Sequence, residues 1–181
     1  QGIPQEGYTA LIAKLLGNIE VEMGINYLND RDRYDAMAGH VIFTGCIDAY
    51  FGFCYGPLAY RSIRFEEERL DMENYQGNAV VNYTDIETPY TRIIEHKHFV
   101  FGKQPHTIIS REYSKEWTAG DEPFYPVNDR RNTQLYERYW QLAEKQHKVH
   151  FLGRLGQYQY LDMDLAIERA LDAAAHLIRQ S

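Results

Sequence analysis

Apolar residues recur at helical spacing in three parts of the chain, over residues 7–18, 131–147 and 162–180. This spacing predicts an amphipathic helix in each of them. Short apolar runs at 40–45 and 148–156 end in glycine and are typical of buried strands. Both ends of the chain therefore contain the helices and strands of an α/β layer.

The middle of the chain has a different pattern. Between residues 60 and 113, four segments alternate apolar with polar positions and are rich in Val, Ile, Thr, Tyr and Phe. The period of two predicts an antiparallel sheet with one face more exposed to water. Residues 19–28 alternate in the same way and predict a further strand, whereas the polar residues 29–35 predict a loop.

The order of these elements indicates a mixed α/β fold, in which an antiparallel β-sheet interrupts an α/β domain. We place the boundaries so that residues 1–55 and 127–181 form the α/β domain. Residues 56–126 then form the sheet domain. The sequence contains no internal repeat and no low-complexity tract.

Composition narrows the class of protein. A net charge of −7 without a Lys/Arg run argues against nucleic acid as a partner. No apolar run approaches the roughly 18 residues of a membrane helix, and two cysteines form no disulfide framework, so we expect a cytoplasmic protein without a membrane span. The fifteen tyrosines suit half-buried sheets and also sites that hold sugars or nucleotides.

Residues 153–164 contain the densest group of candidate functional side chains. Gly153 and Gly156 flank Arg154 where a strand gives way to the last helix. A helix N-terminus carries partial positive charge, so an anion or an electron-rich ring could bind there. In the alternative interpretation the glycines only form the turn, Asp162 caps the helix and Arg154 pairs with a surface acid.

Other candidates stand alone in the sequence. Arg92, within a predicted strand, could bind phosphate or form a structural ion pair. Tyr125 lies between two prolines and could line a pocket or close a core edge, and Asn82 could contact a nucleotide or a neighbouring strand. His96 and His98 would share one side of a strand, but without a third ligand we predict no metal site. No Walker, GxSxG, HExxH, CxxC or GxGxxG motif occurs in this sequence.

Five segments together resemble the UDP-galactopyranose mutase family, in the same order and with similar spacing. They are FTGCIDAYFG (43–52), LAYRSIRFE (58–66), VVNYTDIETPYTRIIEHKHF (80–99), EPFYPVND (122–129) and GRLGQYQYLDMD (153–164). Proteins of that family are about twice as long and begin with a βαβ unit whose glycine-rich turn binds FAD. The resemblance therefore implies a C-terminal portion of a discontinuous FAD-binding protein.

The resemblance implies an isomerase of galactofuranose biosynthesis, which serves cell-surface polysaccharides. Such enzymes interconvert UDP-galactopyranose and UDP-galactofuranose on reduced FAD, through a bond between flavin N5 and the sugar. The implied partners are the UDP-galactose substrate and further copies of the protein. We expect the fragment alone to be inactive and not to retain FAD.

The resemblance also implies roles for substrate-binding residues. Arg92 matches the arginine that clamps the UDP diphosphate beside the flavin, where it would act catalytically on the departing phosphate charge. Tyr125 and Tyr160 match tyrosines that donate hydrogen bonds to the diphosphate. Asn82 matches an asparagine on the substrate side of the sheet, and Arg61 an arginine near the substrate.

A second set matches the part of the family that holds FAD, with the helix N-terminus under the flavin's pyrimidine edge. This set is Arg154, Leu161, Asp162, Met163, Asp164, Leu165 and Ala166. Tyr27 is the expected adenine-side contact. Phe43 and Cys46 depart from the family, in which tyrosine and proline are common at these positions. The alternative function is a stand-alone sugar-nucleotide-binding or interaction module without catalysis.

Overall fold

The computed structural model describes residues 2–180. Within this range it contains six α-helices and seven strands, and the mixed α/β fold class is confirmed. In chain order they are α1 (Gly7–Leu16), α2 (Arg31–Met37), β1 (Val41–Phe43), α3 (Ile47–Tyr50), β2 (Tyr60–Leu70), β3 (Val80–Asn82), β4 (Arg92–Glu95), β5 (Thr107–Glu116), β6 (Tyr125–Pro126), α4 (Arg130–Ala143), β7 (Val149–Phe151), α5 (Gly153–Gly156) and α6 (Met163–Gln180). Two 3₁₀ helices span Tyr27–Asn29 and His96–Val100.

The chain divides into two compact units. The sheet unit consists of Gln1–Ile25 and Ile63–Lys115, and the α/β unit consists of Asn26–Ser62 and Glu116–Ser181. Strand β2 crosses the division, so that its first three residues belong to the α/β unit. The domain boundaries proposed from the sequence stay a prediction.

In the sheet unit the strands lie in the order β3-β4-β5-β2. The pairs β3–β4 and β4–β5 are antiparallel, as the alternating pattern predicts. Ile93 and Ile109 are fully buried, and the Glu95 carboxylate is buried beside them. The carboxylate accepts hydrogen bonds from the backbone N–H groups of Tyr75 and Gln76, at 3.0 and 2.9 Å.

Further donors surround the same carboxylate. Burial alone would raise the pKa of Glu95, but the two backbone N–H groups, the Thr107 hydroxyl and His98 lower it to about 2. The adjacent Lys97 is also buried. Its ammonium group donates to three backbone carbonyl oxygens, those of Glu73, Gln104 and His106. Because every charge is matched by hydrogen bonds, the unit tolerates a polar interior.

In the α/β unit, β1 and β7 form a parallel pair with Phe43 opposite Phe151. The first residues of β2 pair with β6, so that Arg61 lies opposite Tyr125. Six of the eleven side chains in the buried cluster are aromatic. The cluster comprises Phe43, Ile47, Tyr50, Leu58, Tyr60, Leu135, Tyr139, Ala143, Val149, Phe151 and Tyr158.

The predicted helices at 7–18, 131–147 and 162–180 are confirmed as α1, α4 and α6. Helix α4 begins after Asp129, whose carboxylate accepts a hydrogen bond from the N–H of Asn132. Across residues 2–180, no helix combines the length and apolar character that a bilayer crossing requires.

Two local predictions are wrong. Residues 19–26 form no strand, because an alternating pattern makes a strand only where a partner strand accepts its hydrogen bonds. The predicted loop at 29–35 is largely helical, as α2. Asp32 in the first turn favours this helix, and the Tyr34 ring lies 6.2 Å from that of Tyr27.

Candidate functional site

Asn82, Arg92 and Glu112 form a row across three strands of the sheet unit. Asn82 is directly opposite Arg92 across β3 and β4, and Arg92 is directly opposite Glu112 across β4 and β5. Directly opposite residues project to the same face of a sheet, so these side chains are neighbours. The sheet thus brings together Asn82 and Arg92, two candidates that stand alone in the sequence.

Glu112 contacts the guanidinium group of Arg92. Arg92 Nε lies 3.1 Å from Glu112 Oε1, while 42% of the Arg92 side chain and 12% of the Glu112 side chain are exposed. The Nε–H makes no directed hydrogen bond, so the contact is an ion pair. Two interpretations of Arg92 were open, a structural ion pair and phosphate binding. The ion pair is present, and the side chain remains accessible to a ligand.

Sequence reasoning missed Glu112, since a single glutamate within a strand matches no motif. The alternation of Ser110, Glu112 and Ser114 in β5 could have placed it on a polar face. Thr91 also belongs to this group, because its hydroxyl lies 3.1 Å from Glu112 Oε1 and can donate to it.

His96 and His98 do not share a side of a strand, and that prediction is wrong. Strand β4 ends at Glu95, and both histidines lie in the following 3₁₀ helix. His96 Nε2 is 2.7 Å from Ser110 Oγ, and His98 Nε2 is 3.0 Å from Glu95 Oε2. In the described part of the chain, no three or more His, Cys, Asp or Glu side chains are arranged to hold a metal ion.

Arg154, Tyr125 and Tyr160 form a cluster in the α/β unit. The guanidinium carbon of Arg154 lies 4.5 Å from the centroid of the Tyr160 ring and 5.4 Å from that of Tyr125. The two rings are stacked with centroids 5.6 Å apart. Arg154 Nε donates to the backbone oxygen of Leu161 at 2.7 Å, which fixes the side chain and leaves four further N–H groups as possible donors. Arg61, opposite Tyr125, lies 3.5 Å from Glu116 Oε1.

Helix α6 starts immediately after this cluster. Ala166 N–H donates to the backbone oxygen of Asp162, so the amides of the preceding turn lie at the positive end of the helix dipole. Burial raises the pKa of the Tyr160 hydroxyl, and the hydrogen bond to Asp162 raises it further. Tyr160 therefore stays protonated at neutral pH and can donate. Leu161 is buried, whereas Met163 and Leu165 are exposed.

The two glycines of this segment serve the local backbone. Gly153 has a φ of 75°, a value that favours glycine. A Cβ atom on Gly156 would lie 2.9 Å from the backbone oxygen of Phe43, so glycine lets α5 pack against the end of β1. The turn-forming alternative thus accounts for the glycines. It does not account for Arg154, whose contacts are two tyrosine rings and a backbone carbonyl.

This donor set fits an anionic or electron-rich ligand. A guanidinium group, two tyrosine hydroxyls and the first amides of α6 offer several donors within the α/β unit. Diphosphate oxygens and the pyrimidine edge of a flavin both accept such hydrogen bonds. The residues present are therefore compatible with the cofactor and the substrate that the sequence resemblance implies.

Tyr27 packs among the aromatic residues of the α/β unit. Its ring centroid lies 5.8 Å from that of Phe43, and its hydroxyl donates to Asp35 Oδ1 at 2.5 Å. Burial and the Asp35 carboxylate raise its pKa. The adenine-side contact expected of Tyr27 stays a prediction.

The sequence matches the family profile described as UDP-galactopyranose mutase over residues 1–160. A dTDP-fucopyranose mutase from Escherichia coli is 36% identical, over 100% of this chain and 50% of that protein. A probable UDP-galactopyranose mutase from Klebsiella pneumoniae is 39% identical, over 96% of this chain and 45% of its own length. The UDP-galactopyranose mutase of Mycoplasma genitalium is 34% identical, over 98% and 48%.

A crystal structure of reduced UDP-galactopyranose mutase has a similar fold, with a TM-score of 0.63 and 13% identity. The similarity covers 80% of this chain and 42% of that one. This chain spans about half the length of the curated relatives it matches. The family profile and these relatives together show that the chain belongs to the UDP-galactopyranose mutase family.

Proposed function

We propose that this chain is the C-terminal portion of a flavin-dependent mutase that interconverts UDP-galactopyranose and UDP-galactofuranose. The observation that carries the proposal is the row of Asn82, Arg92 and Glu112, in which an accessible guanidinium group is fixed beside polar neighbours. Such a guanidinium group is suited to a diphosphate. Membership of the mutase family supplies the reaction class.

The reaction needs charge stabilisation, because UDP must leave the anomeric carbon as an anion and later return to it. Arg92 would bind the diphosphate and stabilise the negative charge that develops on the departing oxygen. Tyr125 and Tyr160 would donate hydroxyl hydrogen bonds to diphosphate oxygens. Asn82 and Arg61 would contact other parts of the substrate.

Reduced FAD, when bound, would supply a nucleophilic nitrogen, N5, to the reaction. Arg154 and the segment 161–166 would hold the cofactor, through the guanidinium group and the first amides of α6. Tyr27 would lie on the adenine side. The protein's own contribution is therefore position and electrostatics.

The decisive experiment is an assay of the full-length polypeptide under reducing conditions with UDP-galactofuranose. We expect UDP-galactopyranose to form, as followed by chromatography of the two nucleotide sugars. Omission of the reductant is the control. Failure to convert the substrate, together with tight binding of UDP, would instead support a binding module without catalysis.

A second candidate function differs from the first in the sugar and in the nucleotide base of the substrate. The E. coli relative, 36% identical, is named as a dTDP-fucopyranose mutase. The same assay with the dTDP-fucose pair separates the two possibilities. If kcat/KM is higher for the dTDP sugar than for UDP-galactofuranose, a dTDP-fucose activity replaces the UDP-galactose assignment.

The chain alone would be inactive and would associate with itself. Helix α6 exposes Leu171 and Ile178, α1 exposes Leu15, and β1 and β7 form a sheet of two strands within residues 2–180. Exposed apolar faces of this kind drive association. Light scattering of the 181-residue chain should detect oligomers. A monomer that unfolds cooperatively and carries flavin would contradict this proposal.

A further inference from the structure

We infer that Glu112 is a positioning residue for Arg92. It fixes the guanidinium group in the orientation required at the diphosphate, and Thr91 in turn fixes Glu112. The inference rests on the proposed function, since it concerns the same arginine.

The contacts place one carboxylate oxygen between two partners. Glu112 Oε1 lies 3.1 Å from Arg92 Nε and 3.1 Å from the Thr91 hydroxyl. The carboxylate is nearly buried and therefore has little freedom, whereas the end of the arginine remains accessible. An ion pair at Nε restrains the side chain and leaves the two terminal nitrogens for a ligand. An arginine held in one orientation can be directed at the position where charge develops in the transition state, an interaction that the ground-state diphosphate does not make in full.

The charge of Glu112 makes this role testable. A carboxylate beside a diphosphate site repels the ligand, so on charge alone it weakens binding. Removal of the carboxylate should therefore leave UDP affinity unchanged or increase it. The same change lets Arg92 move, so the stabilisation specific to the transition state should fall.

A matched ion pair lies on the other face of the same strand. Arg111 is the neighbour of Glu112 in β5, and adjacent residues of a strand project to opposite faces. Arg111 Nη1 lies 2.8 Å from Glu68 Oε2. Glu68→Ala thus removes a similar ion pair from the same unit without touching the row of Asn82, Arg92 and Glu112.

The test compares Glu112→Ala, Glu112→Gln and Glu68→Ala in the full-length polypeptide, with kcat and KM for UDP-galactofuranose and with the Kd for UDP from calorimetry. We expect Glu112→Ala to lower kcat about 10-fold while KM and the Kd for UDP stay constant or fall. Glu112→Gln keeps an acceptor for Arg92 and should lower kcat about 3-fold. Glu68→Ala should leave kcat, KM and Kd unchanged.

Several results would overturn the inference. A parental kcat in both Glu112 variants would do so, and so would an equal loss in Glu68→Ala. Parallel increases of KM and of the Kd for UDP would indicate a merely structural role. If Glu112→Ala does not fold, the isosteric Glu112→Gln decides alone, with a parental kcat as the negative result. A parent protein without turnover refutes the proposed function as well, whereas an active parent with unaffected variants refutes only this inference.

Discussion

Each of the two units is stabilised by a different kind of interior. In the sheet unit the buried side chains are two isoleucines and four polar residues, Glu95, Lys97, Thr107 and Ser110. In the α/β unit the buried cluster is dominated by aromatic rings, among them Tyr50 and Phe151 with centroids 4.8 Å apart. The sheet unit therefore depends on matched charges and hydrogen bonds, and the α/β unit depends on apolar packing.

The two buried carboxylates show the same contrast. Glu95 has donors on every side, and its pKa is lowered to about 2. In the α/β unit, burial raises the pKa of Asp48 even though it accepts hydrogen bonds from the N–H groups of Leu58 and Ala49. A carboxylate thus stabilises one unit as a charge and costs free energy as a charge in the other.

The largest expected effect is a loss of enzymatic activity on substitution of a residue in the sheet unit. Arg92→Ala in the full-length polypeptide should lower kcat about 1000-fold, because one donor to a developing charge contributes about 4 kcal/mol. The melting temperature should change little, since Arg92 is half exposed. Steady-state kinetics and a thermal melt measure both quantities. Arg69→Ala, at an exposed ion pair with Asp71, is the control and should keep parental turnover.

The next effect concerns stability in the α/β unit. Tyr139 is fully buried, and its hydroxyl donates to the backbone oxygen of Gly56 and accepts from the N–H of Tyr55. Tyr139→Ala should reduce the free energy of unfolding by about 4 kcal/mol, through the cavity that it leaves. Tyr139→Phe should cost about 1 kcal/mol, from the lost hydrogen bonds alone. Denaturant titrations test both, and equal costs would show that packing is not the main factor.

Acid should destabilise the sheet unit before the α/β unit. The pKa of Glu95 falls from an ordinary 4.5 to about 2 on folding, so its stabilisation is complete above pH 4.5 and is lost as the pH falls towards 2. The shift corresponds to about 3 kcal/mol. Asp48 has the opposite sign: its raised pKa means that protonation at low pH removes a cost.

Hydrogen exchange with mass spectrometry follows this acid effect in each unit. Peptides that contain the amides of Tyr75 and Gln76 should lose protection between pH 4.5 and 2 before those that contain Leu58. Glu95→Gln should be less stable at pH 7 and should lack the acid-dependent loss. Simultaneous loss of protection in both units would contradict the contrast.

The smallest expected effect is local. Asp129 caps α4, where its carboxylate accepts from the N–H and from the side-chain amide of Asn132, at 2.7 and 2.9 Å. Asp129→Ala should destabilise the α/β unit by about 1 kcal/mol, and Asp129→Ser should restore most of this. Chemical denaturation measures the difference. No loss in Asp129→Ala would show that tertiary packing alone fixes the start of α4.

The sequence predicted those elements whose own residues determine them. Helices α4 and α6 have long apolar periods, and the 11-residue β2 and the 10-residue β5 contain the β-branched and aromatic residues that strands favour. Residues 19–26 alternate more clearly than either strand, yet form no strand, because a strand also needs a hydrogen-bonding neighbour that its own pattern does not contain.

The residues of the candidate site also differ in how far the sequence alone predicts their proximity. Arg154 and Tyr160 lie in one short segment, so their proximity could be anticipated from the sequence. The pairing of Arg92 with Glu112 joins residues twenty positions apart and depends on the register of β4 with β5. Nothing local to Glu112 encodes that register, which is why the residue was missed.

The register of β4 has a consequence for how the family can vary. Side chains alternate between the two faces of a strand, so a shift of β4 by one residue against its neighbours would exchange the faces of Arg92 and Ile93. The guanidinium group would then point into the interior, and a branched hydrocarbon would take its place in the row. The connection over residues 84–90 can lengthen or shorten without this exchange, so insertions and deletions should be tolerated there and excluded from β4 itself.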